Sequence, residues 1–166
     1  MANEEMRVLL WEEMLDADYR SRYFADIATR KRRLHWLLSL LVAILASGAL
    51  GTILINQTLA AGLCSLVATG LSWWLFATRP SELVRDAAMI SAQWGELHRD
   101  YQFLWSKQGR LTENAVLSQW RKLTDRYKPL DEMASSKFEF NRKLALRIYD
   151  EMLRARNLEQ AETTAV

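Results

Sequence analysis

From Leu34 to Thr78 the chain carries no Asp, Glu, Lys or Arg. All of its charge, 22 basic and 20 acidic residues, lies outside that stretch. A chain of 166 residues has room for one domain. Such a domain can enclose one uncharged helix but hardly an uncharged block of this length. A mean hydropathy of −0.15 conceals the block, because it averages an apolar middle with two polar ends. The block begins only after a long charged segment, which is not signal-peptide architecture. Its one polar cluster, Asn56-Gln57-Thr58, divides it into spans at about 34–55 and 59–78. Each half meets the roughly 20 apolar residues that a ~30 Å hydrocarbon core requires. The short polar break makes a tight hairpin, and as a glycosylation sequon it is a chance match too close to a bilayer to be used.

The flanks orient the hairpin. Arg30-Lys31-Arg32-Arg33 precedes the first span, Arg79 and Arg85 follow the second, and the connecting loop is uncharged. The positive-inside rule puts both termini in the cytoplasm. Trp36, Trp73 and Trp74 fall at the same interface and, with Arg32, Arg33 and Arg79, serve as anchors. Small residues recur along both spans: Ser39, Ala43, Ser47 and Gly51 in the first; Thr58, Ala61, Ser65, Thr69 and Ser72 in the second. Such stripes let backbones approach closely. The favoured expectation is that they pack against each other within one hairpin; the alternative is that one stripe faces a neighbouring subunit or lines a narrow pore. No ionisable side chain lies in mid-membrane, which argues against coupled transport. His35, beside Arg33, reads as an interfacial residue.

Outside the spans the periodicity is helical. Leu10, Met14, Ala17, Ser21, Phe24 and Ala28 follow a 4-3 rhythm, and Leu83, Ala87, Ile90, Trp94, Leu97, Tyr101 and Leu104 repeat it almost as a heptad seam. The two seams run antiparallel because a hairpin joins them, and form a cytoplasmic stalk that continues the spans. Pro80 suits the first turn of a new helix. Gly109 ends that helix, and Thr112 caps a third over roughly Glu113–Tyr127, with Val116, Trp120, Leu123 and Tyr127 on one side and Pro129 as its stop. Ser136 with Glu139 forms a capping-box pattern for a fourth helix faced by Phe140, Leu144, Ile148 and Met152. The expected fold class is therefore an all-α membrane protein: a two-transmembrane helical hairpin extended by an antiparallel cytoplasmic helix pair, plus two further C-terminal helices. The expected division is 4–108 for the hairpin and stalk, 109–158 for a C-terminal cytoplasmic region, and 159–166 for a frayed tail.

Basic groups, an amphipathic aromatic helix, the tight two-span hairpin and the spacing Ala87, Trp94, Leu97, Tyr101 together resemble the SLATT family of bacterial two-span membrane proteins, over about residues 11–105. The resemblance rests on layout and aromatic positions rather than a catalytic motif. It implies an inner-membrane effector of prokaryotic conflict systems that oligomerises and forms a pore or disrupts the membrane of infected cells. It also implies a nucleotide second messenger, or a nucleotide-producing or nucleotide-sensing protein, as partner.

No chemistry-bearing motif accompanies this. There is no Gly-rich phosphate loop, HExxH, Gly-x-Ser-x-Gly or cysteine cluster, so no catalytic residue, cofactor or metal is expected. The single cysteine, Cys64, excludes an internal disulfide. Neither end is polybasic, so nucleic acid is not an expected partner. The carboxylate pairs Glu12-Glu13 and Asp131-Glu132 read as solvated surface, since adjacent helical positions diverge. Arg121, Lys122, Arg126 and Lys128, followed by Arg142, Lys143 and Arg147, are candidate contacts for an anion, lipid headgroups or a partner. Ordinary helix surface charge with interleaved acids is the favoured account of them, because charge runs usually just solvate a face. The rival to an effector is a passive two-span anchor that recruits a soluble partner through residues 112–158. A third possibility is a subunit of a larger membrane complex.

Overall fold

The computed structural model describes the backbone of residues 2–54 and 58–164, and side chains over 4–47, 59–60 and 62–155. The described residues form five α-helices: α1 (Ala2–Leu54), α2 (Thr58–Thr78), α3 (Pro80–Lys107), α4 (Glu113–Lys137) and α5 (Arg142–Thr164). A 3-10 turn, Gln108–Arg110, links α3 to α4. Among the described residues there is no strand. Among the described residues, too, no helix is long and apolar enough to cross a membrane. Asn56 and Gln57 of the expected bend lie outside the described residues, as do the surroundings of Gly51 and the side chains of Thr58 and Ala61.

The chain divides into two compact units, residues 26–87 and residues 1–25 with 88–166. In the first, α2 and the second part of α1 present a lopsided pattern of exposure. The sheltered positions on α1 are His35, Leu38, Val42 and Leu45; those on α2 are Cys64, Ala68, Leu71 and Leu75. These repeat at threes and fours, the spacing of two helices in contact. The small-residue stripes are elsewhere. Ser39, Ala43 and Ser47 on α1, and Ser65, Thr69 and Ser72 on α2, are exposed. The exposed stripes therefore do not pack against each other: Leu38, Val42 and Leu45 of α1 and Cys64, Ala68, Leu71 and Leu75 of α2 take the sheltered side, and Ser39, Ala43, Ser47, Ser65, Thr69 and Ser72 are left on the outside. Ile27, Ala28 and Ala87 are buried at the charged end of the unit.

The second unit holds the core. Leu10, Ala17, Ile90, Trp94, Leu97 and Tyr101 are wholly buried, Met14, Tyr23, Phe24 and Leu104 nearly so. Cross-links between α1 and α3 run antiparallel. The His98 Nδ1–H donates to the Met14 carbonyl at 2.9 Å, and Ser21 and Ser91 each donate a hydroxyl to the other's carbonyl at 3.0 and 2.8 Å. The backbones come close there because position 95 is glycine; a Cβ would stand 3.3 Å from the Ser21 Oγ.

Several local expectations are corrected. Pro129 does not stop α4, which runs through it to Lys137. A proline costs an interior helix a hydrogen bond. Here, however, tertiary contacts hold the chain helical on both sides: Tyr127 before the proline, Leu130 and Ala134, both buried, after it. Ser136 is consequently inside α4, its hydroxyl bonded to the Met133 carbonyl. The cap of α5 is Asn141, whose Oδ1 accepts the Leu144 N–H at 3.1 Å. Phe140 precedes the helix rather than facing it. Thr112 does occupy the cap position of α4, but its carbonyl rather than its hydroxyl takes the first amides. Gly109 sits in the 3-10 turn without a left-handed backbone. Residues 159–164 continue α5. Pro80 opens α3, directly after Arg79, whose φ of 40° is left-handed.

Candidate functional site

The α4–α5 segment does not stand apart. Val116, Leu130 and Ala134 of α4, and Leu144, Ala145 and Ile148 of α5, are buried in the same unit as the α1–α3 seam. Where α1, α4 and α5 meet, a polar network is built around one guanidinium. Positions 16, 19, 20 and 23 share a face of α1, by the i, i+3, i+4, i+7 rule. Arg20 donates from Nε to the Asp16 carboxylate at 2.8 Å and from a terminal nitrogen to Asp131 of α4. Its guanidinium lies 4.9 Å from the Trp94 ring centre and 5.0 Å from that of Tyr127. These two rings meet edge to face at 4.9 Å. The Tyr127 hydroxyl donates to Asp16 at 2.7 Å. One arginine thus ties α1 to α4 by charge, and to α3 and α4 by stacking, a combination that a lysine's compact ammonium does not reproduce.

Burial works against the Arg20 charge, but Asp16, Tyr127 and Asp131 outweigh it and the net shift is upward. Burial, then the hydrogen bond to Asp16, push the Tyr127 phenol well above its ordinary range. Burial and the Glu13 carboxylate do the same to Tyr101, whose hydroxyl donates to Glu13 at 2.8 Å. Glu13 and Asp131, read from sequence as solvated surface, are therefore structural acceptors.

Two grooves open beside this network and share Asp16, Tyr19 and Phe140 in their walls. One, of about 500 Å³, lies over Arg20 between α1 and the end of α4. The other, of about 550 Å³, lies between α1 and α5 and is floored by aliphatic side chains. The Tyr23 hydroxyl accepts the Asn141 N–H at 2.9 Å and its ring stacks on Phe140, which fixes the link between α4 and α5 at the groove's edge.

The residues singled out from sequence are distributed as follows. The stalk-seam residues Leu10, Met14, Ala17, Phe24, Ile90, Trp94, Leu97, Tyr101 and Leu104 are buried together, with Ala87 buried in the other unit. Trp36, Trp73 and Trp74 are exposed, at 62%, 71% and 45%. Arg32, Arg33 and Arg79 are exposed too, and Arg79 pairs with Glu82 at 3.3 Å. Arg121, Lys122 and Lys128 of α4 are exposed. Arg126 is engaged by Asp100 at 2.6 Å and faces Glu96 at 3.9 Å. Arg147 lies 3.5 Å from Glu151. Sequence reasoning missed the network of Asp16, Arg20, Tyr127 and Asp131. An Asp-x-x-x-Arg step beside an apolar seam was the only available signal, and Asp18-x-x-x-Arg22 on the same helix has the same spacing without any tertiary partner in its 3.0 Å ion pair. Among the described residues no group of three or more His, Cys, Asp and Glu could hold a metal.

No family model matches the chain, and neither characterised proteins nor solved structures yield a relative.

Proposed function

We propose that the chain is an oligomeric two-span effector of the bacterial inner membrane, acting in a conflict or anti-phage system. In this reading both termini are cytoplasmic and the helices of residues 1–25 and 88–166 receive the signal. The observation that carries it is the surface of residues 26–87. Leu34, Leu37, Ile44, Leu63, Leu66 and Phe76 are 53–77% exposed there. No charged residue lies between Leu34 and Thr78. Water-facing surfaces rarely hold so continuous an apolar band. A bilayer accommodates it, with the exposed tryptophans at the headgroup level.

The hydroxyls of that surface support the same reading. Ser47 donates to the Ala43 carbonyl, Thr69 to Ser65 and Ser72 to Ala68, each at 2.8 Å. Exposed side chains that satisfy themselves on their own helix suit a solvent without hydrogen bonds. The outward small-residue stripe then faces lipid or a second hairpin, where close backbone approach drives association. A stimulus that binds two packings of the helices unequally would shift the hairpins and admit ions. The nucleotide partner implied by the SLATT resemblance is one candidate stimulus.

Induced expression with a membrane-potential dye tests the proposal. The parent depolarises cells, whereas Ser47→Leu or Gly51→Leu inserts normally and does not. Equal depolarisation by these variants would sink close packing as the mechanism. Membrane insertion without depolarisation under any stimulus would leave the passive anchor instead.

A further inference from the structure

We infer that the paired grooves beside Arg20 form a binding site for a small organic cation, an ammonium or quaternary ammonium carried on an apolar body. The chemistry of the walls selects this class. The groove over Arg20 is lined by five aromatic rings: Tyr19, Tyr23, Phe24, Phe138 and Phe140. Ring faces attract cations through their quadrupole, and rings gathered round a cavity recognise ammonium groups. Three carboxylates, Asp16, Asp131 and Glu139, line the same groove against one guanidinium. That guanidinium is already committed, since Asp16 and Asp131 both accept from it and two rings cover it. Glu139 is exposed, and among the described residues no cation pairs with it. Arg20 balances Asp16 and Asp131 in part, which leaves the lining of this groove with more carboxylates than cations, a balance that favours a cation over phosphates and other anions.

The neighbouring groove supplies the place for the body of the ligand. Leu15, Ala145, Leu146, Met152 and Leu153 floor it, and Tyr149 edges it. Leu146, Tyr149 and Phe140 remain 54–73% exposed, more apolar surface than the packing of α5 itself requires. Arg142 borders this second groove, so the larger excess of carboxylates is in the first. The volumes, about 500 and 550 Å³, are those of small-molecule sites rather than of a protein interface. All of these residues belong to one compact unit. The inference accordingly does not depend on the membrane reading, and the two can fail separately.

The test uses the full chain in a non-ionic maltoside detergent, titrated with ethidium, a planar quaternary cation, and with anilinonaphthalene sulfonate, an apolar anion; empty micelles serve as the blank. Saturable one-to-one ethidium binding is expected, weakened by added salt, with no saturable binding of the anion. Glu139→Gln, an exposed change, should weaken ethidium about tenfold. Leu146→Lys, at an exposed position in the apolar groove, should abolish binding while leaving the thermal transition in place. Ethidium binding no greater than to empty micelles, equal saturable binding of the anion, or wild-type affinity in both variants would each overturn the inference.

Discussion

Gly95 faces α1 beside the reciprocal Ser21–Ser91 hydrogen bonds. Two effects oppose each other at this position. A side chain would favour the helix by up to about 1 kcal/mol, yet a Cβ would press on the Ser21 hydroxyl. Gly95→Ala should therefore be near neutral. Gly95→Leu should cost about 1–3 kcal/mol by overpacking, read as a lowered midpoint in thermal unfolding followed by circular dichroism. Tyr101 makes a second, pH-dependent prediction. Its phenol holds its proton above the ordinary value of 10.0, and so does that of Tyr127. The sign follows directly: below pH 10 both folded and unfolded chains keep these protons and the stabilisation is complete. As pH rises beyond 10 the unfolded chain releases them first, and unfolding gains free energy. Denaturation midpoints should fall above pH 10 in the parent, and fall less in Tyr101→Phe. Identical alkaline profiles would remove the buried phenol from the account.

Among the helices, the boundary between α4 and α5 separates two plausible sequence signals. Ser136-x-x-Glu139 has the capping-box form, but Asn141 makes the cap, and its carbonyl also takes the Ala145 N–H. Asn141→Ala should cost about 1 kcal/mol, and Ser136→Ala a few tenths at most, in the same unfolding assay. The reverse order would return the helix start to Ser136. The local pattern misled because a capping box is a three-residue coincidence, whereas the packing of Leu130 and Ala134 extends α4 past its own proline. The same competition governs the hairpin. Small residues spaced by four resemble a contact face, yet Leu38, Val42 and Leu45 occupy the sheltered side. On α1 the larger side chains take that side and gain more dispersion contacts there, while on α2 they share it with Cys64 and Ala68.

The two units differ in what solvent they suit. Residues 1–25 and 88–166 bury aromatic and aliphatic side chains and expose charge, the arrangement of a protein in water. Among the described residues of 26–87, those buried are Ile27, Ala28, Ala68 and Ala87, while large apolar side chains such as Leu63, Leu66 and Phe76 are exposed. If a bilayer covers that surface, proteinase K applied to permeabilised cells should degrade both termini and spare a fragment spanning about residues 34–78. Complete digestion, or recovery of the untreated chain from the aqueous fraction, would contradict the membrane assignment.

The uncharged block, the helical rhythm on either side of it and the buried identities of Leu10, Trp94, Leu97 and Tyr101 were all readable in the amino-acid order. They are properties of periodicity, and a helix presents every third or fourth residue on one face whatever surrounds it. The candidate site was not readable, because its parts come from positions 16–24, 131–140 and 142–153, and nothing local distinguishes Asp16-x-x-x-Arg20 from Asp18-x-x-x-Arg22. Which of three equally spaced ion pairs on α1, the third being Asp26 with Arg30, meets a second carboxylate and two aromatic rings depends on where α3 and α4 lie against α1. That placement is a matter of packing between distant segments, and so belongs to the tertiary structure alone.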